Sequence, residues 1–207
     1  MDRAVLAAAP SIFKALAKLD WKETQFTERD AVDLARVTAD RSIVHVHNEL
    51  HKAYYDWTDG RASANKVREL AKLYLALGRA FCDLLALHTD YSLWESYLRL
   101  DAIEKIVNPE FEHVLIDNAS CGYCVSHQYE LATNLAIPQM EALVGRIEGH
   151  LASSNKSALE AFDPYEKRRK AVVDRPLKPM APTLPRTQEN YARTMERFAE
   201  LLAPLAR

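Results

Sequence analysis

The sequence predicts an all-α protein, an antiparallel bundle of six to seven helices with a proline-rich strap and a docked C-terminal helix. Three observations predict it. Apolar residues recur at threes and fours along most of the chain, the period of one face of an α-helix. Glycine is scarce, 5 residues in 207, and the aspartate-glycine and asparagine-glycine pairs on which hairpins depend are few. Ala, Leu, Glu, Lys and Arg, all good helix formers, are abundant. A chain of 207 residues can bury a sizeable core, and it divides into a helical domain over 1–162, a proline-rich basic linker or strap over 163–186 and a C-terminal helix over 187–207.

Residues 4–19 set Ala, Leu, Ile and Phe at helical spacing, with Lys14 and Lys18 on the other side. Trp21 to Phe26 reads as a connection. Thr27 and Asp30 offer capping oxygens for a long second helix from Ala31, whose Leu34, Val37, Ile43, Val44, Val46 and Leu50 recur helically to about Trp57. Gly60 in Thr58-Asp-Gly-Arg61 can take the left-handed conformation that ends it. Ser63 starts a third helix through Val67, Leu70, Leu73, Leu77, Phe81, Leu84 and Leu87, a seam regular enough to be buried against the second helix. Cys82, beside that seam, reads as a small buried apolar residue.

Ser92-x-x-Glu95 is a capping-box pattern and opens a helix with Leu93, Trp94, Tyr97, Leu98 and Ile103. Asn108-Pro109-Glu110 predicts another start, leading through Phe111, Val114, Leu115 and Ala119. Pro138 is expected to restart the chain before a helix with Leu143, Val144, Ile147 and Leu151. From 163 to 186, prolines at 164, 176, 179, 182 and 185 and the run Lys167-Arg-Arg-Lys170 predict an extended, solvated segment. Thr187 caps a last helix with Tyr191, Met195, Phe198, Leu201 and Leu202 on one side, a face that must dock to be buried.

The net charge of −2 gives no electrostatic case for nucleic acid. Three cysteines exclude a disulfide scaffold. Membrane insertion is not expected, because the longest apolar run, Leu70 to Leu87, is interrupted by Lys72, Arg79 and Asp83. The first residues carry too short an apolar region for a signal peptide, so if Met1 is the natural start a soluble, cytoplasmic protein is expected. No cofactor motif is present, and homo-oligomerisation stays open.

Two clusters could carry chemistry. In His45-Val-His-Asn-Glu-Leu-His51, His47 and His51 stand four apart on one helical face, a spacing that can chelate zinc or iron. The zincin pattern needs Glu directly after the first His, whereas Asn48 follows His47 and Glu49 comes one place later, about 100° further round the helix. Without a third ligand, no metal site is expected. The second cluster is Cys121-Gly-Tyr-Cys124, with His127 beyond it. Two thiols three residues apart on a helix are neighbours, and His127 could hold or shuttle a proton.

The order Cys121-x-x-Cys124 with His127 and Glu130-Leu-Ala-Thr-Asn-Leu-Ala-Ile-Pro138 resembles the alkylhydroperoxidase and carboxymuconolactone decarboxylase-like family over about residues 112–146. In that family the His follows the second Cys by four residues; here it follows by three. This resemblance implies a small thiol-disulfide or peroxide-reducing enzyme with Cys121 and Cys124 as the redox pair and His127 as proton carrier.

A longer resemblance covers about residues 4–150. It rests on Ala4-Val-Leu-Ala-Ala-Ala-Pro10, Arg29-Asp-Ala-Val-Asp-Leu-Ala-Arg-Val-Thr38 and the segment from Leu77 to Glu95. Their order and spacing are similar to the C-terminal helical domain of α-N-acetylglucosaminidases, the family 89 glycoside hydrolases. The implied role is an accessory domain that buttresses a catalytic barrel and walls one side of a sugar cleft, its partners being that barrel or carbohydrate. The resemblance places the catalytic carboxylates on the barrel, and this chain has neither room for one nor βα alternation. Trp57, Trp94, Tyr123 and Tyr129 are the expected exposed aromatics, with Trp57, Tyr123 and Tyr129 the candidate substrate contacts and Trp94 better suited to core packing.

The accessory reading predicts no reactive thiol at neutral pH and no peroxide consumption that Cys124→Ser abolishes. Thiol titration and a peroxide assay on parent and variant check this, and cysteine-dependent turnover would move the protein to the redox class.

Overall fold

The computed structural model describes residues 3–21, 23–104, 116–120, 128–153, 157, 159, 169–170 and 185–206, and no strand occurs among them. Helix α1 (Arg3–Leu16) is followed by α2 (Gln25–Thr58), α3 (Ala64–Leu85), a short 3₁₀ turn (Thr89–Tyr91) and α4 (Leu93–Glu104). Residues 116–120 are helical. The chain then runs without a break from one α-turn (Tyr129–Leu131) through a π turn (Ala132–Ala136) into α5 (Ile137–Ala152). Helix α6 (Gln188–Leu202) and a 3₁₀ turn (Ala203–Ala206) close the fold.

Local chemistry sets the boundaries. Helix α2 begins at Gln25 rather than Ala31, because the Thr24 hydroxyl accepts the Thr27 N–H at 3.0 Å and so caps the helix earlier. Thr27 and Asp30, the expected caps, lie inside it. No Gly or Pro interrupts its 34 residues, and it ends at a turn where Gly60 has φ 77°. Ser63 caps α3 as expected, accepting the Lys66 N–H at 3.2 Å. The Asn108-Pro109 start lies outside the described residues.

Helix α3 is the hub. Leu77, Gly78, Ala80, Phe81, Cys82, Leu84 and Leu85 are all buried, which takes partners on several sides; α2, α5 and α6 supply them. Two ion pairs report an antiparallel register between α3 and α5: Arg68 with Glu148 at 3.1 Å and Arg79 with Glu141 at 2.9 Å. Both pairs are partly exposed and contribute little to stability. Between them Gly78 permits close approach, since a Cβ there would lie 2.6 Å from Met140 Cε. Helix α6 runs antiparallel to α1, with Phe13 stacked on Phe198 at 4.7 Å and Trp21 on Tyr191 at 4.8 Å between ring centroids.

Trp21 corrects the reading of its segment as a mere connection: it is fully buried. The Gln188 side chain fastens that segment, accepting the Trp21 N–H at 3.2 Å and donating to the Leu19 carbonyl at 2.7 Å. Truncating a buried Trp of this kind costs about 3–5 kcal/mol.

Pro138 stands in the first turn of α5, as expected of a helix start, but no loop precedes it: the chain enters α5 directly from the π turn. A proline lacks an N–H and its ring presses on the carbonyl four residues back; the π turn immediately before it widens the backbone there and relieves both problems. Of the proline-rich stretch, the described residues are few. Arg169 pairs with Asp117, and Arg186 Nε donates to the Ala86 carbonyl at 3.0 Å, satisfying the end of α3.

At the 3₁₀ turn, His88 Nδ1 accepts the Asp90 N–H at 3.1 Å. That role requires an unprotonated nitrogen. Burial pushes the His88 imidazole below its ordinary value of 6.5, outweighing the nearby Asp90 and Glu28 carboxylates. The unfolded chain therefore takes up this proton at a higher pH than the folded one, so the stability is present above the unfolded value and is lost as pH falls. Unfolding titrations between about pH 7 and pH 5 are expected to show falling stability, with a flatter slope in His88→Asn, which keeps a capping oxygen and removes the titration.

Candidate functional site

The sequence-predicted residues are not brought together into one site. Cys121, Tyr123, Cys124 and His127 lie outside the described residues, so the thiol pair and its histidine acquire no geometry. Trp57 and Tyr129, expected to be exposed to substrate, are buried at 7% and 4% exposure. Trp57 faces α5, where it meets His150, and Tyr129 joins the main core. Neither ring is presented to solvent, which corrects their expected exposure. Trp94 is half-buried and lies 5.8 Å from Tyr97 between ring centroids, consistent with packing. Cys82 is buried as expected; burial pushes its thiol up to about 11, so it is inert at neutral pH.

Helix α2 instead assembles a row of aromatic and imidazole rings. His47, His51 and Tyr55 follow one another at intervals of four on one side of the helix. Their centroids are 5.5 Å apart from His47 to His51 and 5.4 Å from His51 to Tyr55, both edge-on. Tyr74 of α3 stacks on His47 at 5.3 Å with 23° between planes. Tyr54 continues the row inward from Tyr55, at 5.5 Å. Beyond it, His150 of α5 lies 5.7 Å from Tyr54 and 5.1 Å from Trp57.

The inner end of the row is a closed hydrogen-bond unit. Tyr54 Oη accepts the Leu159 N–H at 3.0 Å and lies 2.8 Å from His150 Nδ1. The Tyr54 hydroxyl thus bridges the Leu159 N–H and the His150 imidazole. His150 Nε2 is buried without a hydrogen-bond partner among the described residues, its ring perpendicular to the Trp57 indole at 89°. This unit joins α2, α5 and the segment after α5. Among the described residues, the side-chain oxygen hydrogen-bonded to this imidazole is the Tyr54 phenol, itself bonded to the backbone.

The outer end is different. His51 and Tyr55 are exposed and His47 is half-buried. Burial, and then the neighbouring His51, lower the affinity of His47 for a proton, so this imidazole is neutral at pH 7. No cluster of three or more His, Cys, Asp or Glu side chains able to hold a metal occurs among the described residues.

Glu130 was read from the sequence only as part of a motif. Its buried carboxylate accepts from Ser92 Oγ at 2.6 Å, from the Leu93 N–H at 2.7 Å and from the Trp94 N–H at 3.3 Å, capping α4 from a remote position. Ser92 completes the expected cap by accepting the Glu95 N–H at 3.1 Å. All of these contacts serve the helix terminus, so Glu130 is structural.

Tyr54→Phe should keep the ring packing and strand both Leu159 N–H and His150 Nδ1, lowering stability by about 1–3 kcal/mol in denaturant unfolding; an unchanged midpoint would remove the hydrogen-bond unit from the account. No protein-family model, curated protein or solved structure matches this chain.

Proposed function

We propose that this chain is a helical accessory domain, similar to the C-terminal domain of α-N-acetylglucosaminidase-like glycoside hydrolases, which buttresses a catalytic barrel carried elsewhere. The observation that carries the reading is the outer side of α2. Phe26, Leu34, Val44 and Tyr55 are large apolar residues exposed at 68%, 51%, 52% and 47%. At about 100° per residue, Phe26, Val44 and Tyr55 fall on one line along the helix, with Leu34 on its flank. They stand about 27 Å (Phe26 to Val44) and about 16 Å (Val44 to Tyr55) apart along the helix, so a partner lying along α2 meets an apolar side chain at each of these points.

A buttress needs a stiff support behind that face, and α2 has one. Its inner side is buried through Val32, Ala35, Ala39, Val46, Leu50 and Ala53. Two of its polar residues are buried with their hydroxyls satisfied: Thr38 Oγ1 donates to the Leu34 carbonyl and Ser42 Oγ to the Thr38 carbonyl, each at 2.8 Å. The carbohydrate role fits less well, since Trp57 and Tyr129 are buried. Tyr55 is the exposed ring that remains on α2 for a sugar at the margin of the interface.

The test mixes the full chain with the catalytic barrel of a family 89 glycoside hydrolase lacking its own helical domain. Sedimentation should show a one-to-one complex, with a raised melting temperature for the barrel. Val44→Glu together with Tyr55→Glu should abolish it, since two charges would have to be desolvated in the interface. Absence of any complex at tens of micromolar, or a complex indifferent to the double variant, would remove the proposal.

A further inference from the structure

We propose that His47 and His51 form a two-histidine chelate for a divalent first-row transition-metal ion on the side of α2. Imidazoles at i and i+4 project from the same helical face one turn apart, the spacing by which a helix offers two nitrogens to one ion. Here the two rings already lie side by side, with centroids 5.5 Å apart and planes at 80°. An ion about 2.0–2.1 Å from one nitrogen of each ring, in tetrahedral geometry, places the centroids about 5 Å apart. Rotation about the side-chain torsions then has to turn one nitrogen of each ring toward the common point.

Two neighbours reduce the ordering that binding would otherwise require. Tyr74 stacks on His47 and holds that ring in the half-buried groove between α2 and α3, and Tyr55 packs edge-on against His51. Preorganised ligands lose less rotamer freedom when the ion arrives. His51 is exposed, so an ion can enter.

Sequence reasoning set metal aside for want of a third protein ligand. A two-histidine chelate does not need one, because water fills the remaining positions. That makes the site modest in affinity and orders the ions by intrinsic preference, with Cu(II) bound more tightly than Ni(II) or Zn(II). His45 serves as an internal control: two residues before His47, it lies about 200° round the helix and cannot share the ion.

The experiment uses the full chain carrying Cys121→Ser and Cys124→Ser, so that neither thiol competes for the ion. Titration with Cu(II), followed by calorimetry and by electron paramagnetic resonance, should give an ion coordinated by two imidazole nitrogens. His51→Asn should weaken binding about tenfold or more by reducing a chelate to a single ligand, and His45→Asn should leave it unchanged. His51 is exposed, so its replacement does not endanger the fold, unlike that of His47. Binding that survives His51→Asn, that falls equally in His45→Asn, or that lacks the two-imidazole signature would overturn the proposal.

Discussion

The structure is governed by a mismatch of length. Helix α2 has 34 residues and its main partner α3 has 22, about 51 Å against about 33 Å. An amphipathic helix has to bury its apolar side along its whole length, so the part of α2 that α3 cannot reach must find other cover. Helix α1, helix α6 and the 3₁₀ turn provide it, the turn through Tyr91, whose hydroxyl donates to Asp33 at 2.9 Å and whose ring lies under Arg36. The bundle is arranged around that requirement. Among the described residues, Phe26, Leu34, Val44 and Tyr55 on the outer side of α2 stay exposed.

Remote side chains secure the ends of the helices. Glu130 caps α4, Arg186 closes α3, and Gln188 holds the chain after α1. Each ties segments far apart in sequence through a backbone group that would otherwise be left unsatisfied. The Glu130 bonds, which are buried, contribute more to the uniqueness of the fold than the surface ion pairs do, because a buried unpaired donor is expensive whereas a lost surface pair is cheap.

Much of this was legible in the sequence. The seam Val67, Leu70, Leu77, Phe81 and Leu84 and the caps at Ser63, Ser92 and Thr187 are local patterns, and local patterns survive folding. The all-α class follows from them. Contacts that depend on distant partners were not legible. Trp21 reads as a loop residue until α6 brings Tyr191 over it, and Glu130 gives no sign that its carboxylate will reach Ser92. Trp57 reads as an exposed aromatic in the sequence, but α5 returns over it with His150. The row of His47, His51 and Tyr55 could have been found from its spacing alone; the two rings that flank it inward, Tyr74 and His150, could not.

The π turn before α5 carries a consequence for how this segment can vary. A π turn shifts the phase of a helix by one residue, so the two sides of Ala132–Ala136 face directions that a regular helix would not allow. Upstream, this phase points Glu130 at α4; downstream, it points Met140 at Gly78 of α3. Removing a single residue from the turn would restore regular helix and rotate one of these contacts out of place by about 100°. The segment therefore works as a keyed coupling between α4 and α3, in which residue number counts for more than residue type.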